Sequence, residues 1–157
     1  MMRTGIGYDI HRLVDGRKLI LGGVSIPFHK GLFGHSDADV LIHAVCDALL
    51  GASGLGDIGL HFPDSDDRFK DISSMILLEK TFKMISAKGV VIHNIDTVIF
   101  AQEPKISPYR KQMAENIAGK IGIEPNRVNI KATTTEGLGA IGKGDGIAAM
   151  CSVLIDT

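Results

Sequence analysis

Thr4-Gly5-Ile6-Gly7-Tyr8-Asp9-Ile10-His11 is the stretch whose reading decides the fold. Its period of two puts Ile6, Tyr8 and Ile10 on one face and Gly7, Asp9 and His11 on the other, the signature of a strand. Working outward, residues 18–27 (KLILGGVSIP) read as two short strands about a Gly22-Gly23 turn. Ser36-Asp37-Ala38-Asp39 supplies cap residues for a helix running to about Leu50 and ended by Gly51. Within it Val40, Leu41, Ala44, Val45, Ala48 and Leu49 have helical spacing. A second helix is predicted over 73–88, stopped by Gly89, and a third over 107–120. Residues 90–101, 128–132 and 147–155 are β-rich.

The order β-β-α-α-β-α-β predicts one α/β (α+β-like) domain spanning 1–157, a mixed sheet of about four main strands with helices on one face. The second face then needs cover, and the strands are apolar enough to predict that an oligomer supplies it.

Of 157 residues, 45% are hydrophobic and 22% charged, the balance of an ordinary globular domain. The net charge of −1 offers no overall field for nucleic acid or an anionic membrane, and an aromatic content of 5% without Trp argues against base-stacking platforms. Strong phosphate binding would therefore have to come from a local site. Cys46 and Cys151 are isolated, with no CxxC pair, and read as buried small hydrophobes in a reducing compartment. The opening MMRTGIGYDIHRL has no apolar signal core, and no apolar run approaches a membrane span, so a cytoplasmic, bacterial-type protein is expected.

Asp9 and His11, two apart on a strand, project to the same face. His43 lies on the helix that can pack across that strand. Two imidazoles and a carboxylate leave a fourth position open, the pattern of a catalytic zinc site. Spacing alone also admits the alternative that His43 is a satisfied core histidine. Asp39 and Asp47, four residues either side of His43, can orient its ring or act as capping and solvated carboxylates.

Gly34-His35-Ser36-Asp37 precedes the first helix, where backbone N–H groups and the helix dipole favour an anion. His35 and Ser36 can both donate to a phosphoryl oxygen; Ser36 or Asp37 can equally be the N-cap. Asp57-Ile58-Gly59 and Phe62-Pro63-Asp64-Ser65-Asp66 are turn-rich loops whose carboxylates suit polyol hydroxyls, or turn chemistry alone. Thr133-Thr134-Thr135-Glu136 ends a strand, either with threonines that serve only as good strand residues or with three hydroxyls for phosphate and a carboxylate able to hold a hard cation such as Mg²⁺. Ala101, Gln102, Glu103, Pro104, Lys105, Ile106 and Ser107 leave a strand and enter a helix, with backbone groups suited to the edge of a base.

Taken together, G-Y-D-I-H-R, G-L-F-G-H-S-D-A-D-V, D-A-L-L-G-A, L-G-D-I-G, F-P-D-S-D, A-Q-E-P-K, V-N-I-K-A-T-T-T-E-G-L-G and G-K-G-D-G-I-A occur in an order that closely resembles the 2-C-methyl-D-erythritol 2,4-cyclodiphosphate synthases of the non-mevalonate isoprenoid pathway. The resemblance covers essentially the whole chain. It implies a homotrimer with sheets packed around the trimer axis and active sites between subunits. It also implies a lyase reaction on a cytidine-diphosphate-linked substrate, by intramolecular phosphoryl transfer. By that resemblance, Asp9, His11 and His43 hold Zn²⁺, and Glu136 helps hold Mg²⁺ or Mn²⁺. His35 and Thr134 stabilise the transition state. Asp9, Ile10, His11, His35, Ser36, Asp57, Ile58, Gly59, the loop from Phe62 to Asp66, and Thr133, Thr134, Thr135 and Glu136 fall among the substrate contacts. The segment from Ala101 to Ser107 matches the cytidine pocket, supplied by a neighbouring subunit.

Two positions depart from the family. Ala140 and Lys143 stand where its well-known members carry Phe and Arg, towards a central trimer cavity that in some members accepts an isoprenoid diphosphate. Ala removes an aromatic contact and Lys lacks the bidentate fork of Arg, which argues against cavity binding here. Lys143 is carried over as a substrate contact on position alone. Two competing readings are a two-metal phosphohydrolase, which would release free phosphates, and a non-catalytic trimeric isoprenoid-binding module, which Asp9, His43 and Glu136 argue against.

Overall fold

A computed structural model describes residues 1–157. Strand β1 (Met2–Asp15) pairs antiparallel with the last strand along almost its whole length, from Met2 opposite Asp156 to Arg12 opposite Gly146. β2 (Leu19–Leu21) and β3 (Val24–Ile26) form a separate hairpin, as expected. Gly22 and Gly23 both have positive φ, 57° and 71°, the conformation that a tight two-residue hairpin turn requires. β4 (Lys30–Leu32) pairs with the end of β1. Helix α1 (Val40–Ala52), the one-turn α2 (Ile58–His61) and α3 (Ser74–Ser86) follow, then β5 (Val91–Phe100), α4 (Arg110–Ile121), β6 (Val128–Thr133), the one-turn α5 (Gly139–Gly142) and β7 (Gly146–Asp156).

The main sheet has the order β4-β1-β7-β5-β6, with only β5 and β6 parallel, joined through α4. The four long strands and the one-sided helical cover agree with the sequence pattern. The short β4, α2 and α5 were not expected, since three or four residues are too few for a period to show. Two boundaries also differ. α1 continues through Gly51 to Ala52, and Ser53 closes it, its hydroxyl donating to the Leu49 carbonyl at 2.8 Å. The third long helix begins with a 3-10 turn, Ser107–Tyr109, holding Pro108 in its first turn, where a missing N–H costs nothing.

Residues paired directly across an antiparallel ladder share a face, so the register sorts the sheet. Gly5, Gly7, Asp9 and His11 face α1. A methyl group at Gly7 would stand 2.0 Å from the Ala44 carbonyl oxygen, and one at Gly5 would stand 2.0 Å from that of Ala48. The helix therefore rests on the strand backbone itself. Ten of its thirteen residues are buried, as for a helix enclosed on all sides. Asp39 fixes its start. The carboxylate accepts from Ile42 N at 3.1 Å, Gly22 N at 3.0 Å and Gly23 N at 2.8 Å, capping α1 and docking the hairpin turn on it. Burial pushes this carboxyl up to about 6 against three N–H donors that favour its charged form.

The opposite face of β1 leaves Ile6, Tyr8 and Ile10 69%, 52% and 46% exposed, with Met150 of β7 beside Tyr8. No helix of the chain covers it. Towards β6 the same face turns polar, where Asp96 accepts from Asn129 at 2.9 Å and from Lys131 at 2.6 Å.

Gly7→Ala should destabilise the protein by roughly 3 kcal/mol or more, because backbone on both sides leaves the methyl no room. Gly51→Ala, in a helix with open space around it, should be neutral or stabilising by about 0.5–1 kcal/mol. Denaturant midpoints of the two variants check the contrast.

Candidate metal centre and substrate clefts

Asp9 and His11 stand side by side on β1, and α1 brings His43 over them one turn beyond its cap. Asp9 Oδ2 lies 3.0 Å from His11 Nε2 and 2.9 Å from His43 Nδ1, and one ligand atom from each of the three residues falls within 4.8 Å of the others. The outer ring nitrogens are engaged by the protein. His11 Nδ1 is 2.7 Å from the Phe33 carbonyl, which can only accept, so that nitrogen carries a hydrogen. His43 Nε2 lies 2.9 Å from Ser74 Oγ and 3.2 Å from Ser36 Oγ. The inner nitrogens thus converge on a carboxylate oxygen at distances that call for a hydrogen or a metal ion between each ring and the oxygen. A half-buried N₂O donor set with its outer nitrogens already satisfied fits a divalent metal.

The electrostatics agree. Burial opposes ionisation of Asp9, but hydrogen bonds and charge from His11 and His43 outweigh it and hold the carboxyl well below the usual carboxylate range. The hydrogen bond to Asp9, opposed by burial, raises His11 above its ordinary 6.5. The two rings thus favour the ionised form of the carboxylate between them.

A cleft of about 380 Å³ opens over the triad, lined by Asp9, His11, Gly34, His35, Ser36, His43, Asp47, Ile58, Gly59, Phe62, Pro63, Asp64, Phe69, Ile72 and Leu77. The two loops flagged in the sequence thus form its wall, though not with every residue. The Asp57 carboxylate caps α2 through Leu60 N at 2.9 Å and lies outside the lining. Ser65 is exposed outside it too, and Asp66 pairs with Arg68 while its carbonyl meets His35 Nε2 at 3.2 Å. Ile10 points to the other face of the sheet. Ser36 turns its hydroxyl inward, accepting from Ala38 N at 3.1 Å.

A second cleft, about 390 Å³, gathers Ala101, Gln102, Glu103, Pro104, Lys105, Ile106 and Ser107 with Arg110, Ala132, Thr133 and Thr134. It shares no residue with the first. Glu103-Pro104 is cis. Thr135 and Glu136 lie just outside this lining, and Thr134 Oγ1 donates to Glu136 Oε1 at 3.5 Å. Glu136 has no cluster of further ligands around it, so a cation held there would need oxygens from a bound molecule. Lys143 lines neither cleft and instead faces a third, of about 250 Å³, with His29, Lys30, Gln102 and Glu103 among its walls.

Sequence reasoning missed the partner of His43. Neither Asp39 nor Asp47 bonds to its ring: Asp39 serves the three N–H groups above, and Asp47 accepts Ile58 N at 2.7 Å. Ser74, 31 residues away on α3, makes the contact, and no local spacing could announce it. Phe69, Ile72 and Leu77 of the cleft were likewise unmarked, being ordinary apolar positions.

The model of the YgbB family matches residues 2–156. The chain belongs to the YgbB family. Its relatives include 2-C-methyl-D-erythritol 2,4-cyclodiphosphate synthases of Desulfatibacillum aliphaticivorans, 61% identical over 99% of this chain and 100% of that one, and of Desulfosudis oleivorans, 60% identical over 98% and 92%. Among solved structures, a 2C-methyl-D-erythritol-2,4-cyclodiphosphate synthase in a CDP-bound form superposes with a TM-score of 0.90 at 38% identity, covering 98% of this chain and all of that one. The bifunctional IspDF of Campylobacter jejuni gives a TM-score of 0.95 at 44% identity over 99% of this chain, which spans 42% of that longer protein. These likenesses carry the YgbB fold across the whole chain.

In this YgbB-family site His43→Ala should lower bound divalent metal to a small fraction of one equivalent while the circular dichroism spectrum stays folded. Protons and metal compete for the inner nitrogens, and His11 holds its proton above the ordinary range. Metal affinity should therefore be full at alkaline pH and fall as the pH drops, by roughly tenfold per unit for each proton displaced. Competition with a chelator at several pH values measures this; a flat profile would contradict the ligand set.

Proposed function

We propose that this chain converts 4-diphosphocytidyl-2-C-methyl-D-erythritol 2-phosphate to 2-C-methyl-D-erythritol 2,4-cyclodiphosphate with release of CMP, a lyase step of non-mevalonate isoprenoid biosynthesis. The observation that carries the reading is the convergence of Asp9, His11 and His43 at the floor of a cleft walled by His35, Gly59 and the loop at Phe62, in a chain about 60% identical to synthases of that name over its full length. The CDP-bound relative supports a cytidine-diphosphate-linked substrate.

The 2-phosphate oxygen attacks the β-phosphorus, forming one P–O bond, while the bond from that phosphorus to the α-phosphate oxygen breaks and CMP departs with its electron pair. Such a step needs positioning and charge neutralisation, with no protein nucleophile. Asp9, His11 and His43 would hold Zn²⁺, and Glu136, with phosphate oxygens, Mg²⁺ or Mn²⁺; both supply positive charge against the phosphates when bound. His35, at the cleft wall, would donate to a phosphoryl oxygen in exchange for its Nε2 contact with the Asp66 carbonyl, and Thr134 would do so from the end of β6. Ile58, Gly59, Phe62, Pro63 and Asp64 enclose the methylerythritol portion and exclude water from the reacting phosphorus. The second cleft, from Ala101 to Thr134, receives the cytidine. The family resemblance implies a homotrimer that joins one subunit's triad to its neighbour's second cleft, and two observations support it: the two clefts share no residue, and the face bearing Ile6, Tyr8 and Ile10 is uncovered. No helix is long and apolar enough to cross a membrane, in keeping with a cytoplasmic enzyme acting on a charged substrate.

The test is incubation with the cytidyl substrate followed by ³¹P NMR. CMP and the cyclic diphosphate should appear together, vanish when metal is stripped, and return with Zn²⁺ plus Mg²⁺. Free phosphates in place of the ring would indicate a hydrolase, and full turnover by verified metal-free protein would defeat the mechanism.

A further inference from the structure

Asp37 lies in the loop between β4 and α1, where its Oδ1 accepts from Asp39 N at 3.2 Å, yet its carboxylate also serves a residue of a distant element. Oδ2 accepts the backbone N–H of Ser74 at 3.0 Å, and Oδ1 accepts the Ser74 hydroxyl. Ser74 is fully buried at the start of α3. A carboxylate can only accept, so the single hydrogen of the Ser74 hydroxyl is committed to Asp37. What Ser74 Oγ keeps is lone pairs, and His43 Nε2 stands 2.9 Å from them. Facing those lone pairs at the shorter distance, Nε2 carries a hydrogen, with Ser36 Oγ at 3.2 Å its more distant neighbour. In the neutral ring this leaves Nδ1 as the lone pair, on the side where Asp9 and His11 converge.

We propose that Ser74 and Asp37 are positioning residues of the metal centre: the chain from His43 Nε2–H to Ser74 Oγ–H to the Asp37 carboxylate fixes the tautomer and ring orientation that aim Nδ1 at the cation. This rests on the metal reading above. The backbone around Asp37 also braces the cleft wall. Asp37 N donates to Ile72 O at 3.1 Å and Asp71 N to His35 O at 2.8 Å, so the segment walling the cleft is tied back at the residue that orients the ligand.

The test uses the full chain labelled with ¹⁵N-histidine. In the zinc-loaded protein His43 should show a protonated, pyrrole-type Nε2 and a metal-bound Nδ1. Ser74→Ala and Asp37→Asn should lower zinc affinity about 10- to 100-fold in chelator competition, the usual range for losing an outer partner of a ligating histidine. These measurements are made at a temperature where circular dichroism shows the metal-free variants folded. Zinc affinities within twofold of the parent in both variants would overturn the proposal, as would a hydrogen on Nδ1 of His43 in the parent. If neither variant folds, the ¹⁵N pattern of the parent decides alone. A parent that binds no zinc removes the metal reading itself, and the proposal with it; unchanged variants of a zinc-binding parent remove only the proposal.

Discussion

The contact on which the site depends is backbone against backbone. α1 lies on β1 at positions 5 and 7, where any side chain would collide with the helix carbonyls. Helices usually stand off a sheet by the thickness of two side-chain layers. Removing one layer brings His43 near enough to reach Asp9 Oδ2 at 2.9 Å. The two glycines thus set the height of the metal centre, and Asp39 sets the position of the helix along the strand. The glycines have no side chain to reach the triad, and Asp39 meets it only through its carbonyl, which accepts from His43 N at 3.0 Å, yet both are prerequisites of the triad's geometry.

Charge is managed locally in a chain that is almost neutral overall. Asp9 is kept ionised by two histidines, Asp37 is engaged by Ser74, and Asp39 is shut in against backbone N–H groups. Asp37 and Asp39 flank the start of α1 and Asp9 faces that helix from β1, yet each answers to different donors. That division of labour leaves only the triad with donor atoms facing one another across an open position. A phosphate-rich substrate would meet its compensating charge there, with no broad basic surface to attract other polyanions.

Much of this was legible in the sequence, because period and spacing are local. The alternation from Thr4 to His11 gave the strand, its two faces and the pairing of Asp9 with His11 on one of them. Helical spacing after Asp39 put His43 on a buried helix. What stayed hidden depended on packing between distant segments. Ser74 as the partner of His43, Asp37 as the acceptor of the first N–H of α3, and the separation of the two clefts all follow from how α3 and β5–β6 are placed. Gly51 misled for the converse reason. A glycine reads as a stop, but the last turn of α1 is buried at Leu49, Leu50 and Ala52, and that packing outweighs the propensity of one residue.

β1 carries two surfaces on alternate residues, the metal ligands on one side and the uncovered Ile6, Tyr8 and Ile10 on the other. The strand has no spare positions. Inserting or deleting one residue between Gly5 and His11 would send the ligands out through the sheet, deliver isoleucines into the metal cleft and press side chains into α1, all at once. Length in this stretch is consequently under stricter control than composition. Point substitutions on the outer face can be absorbed singly, whereas the spacing itself admits no drift.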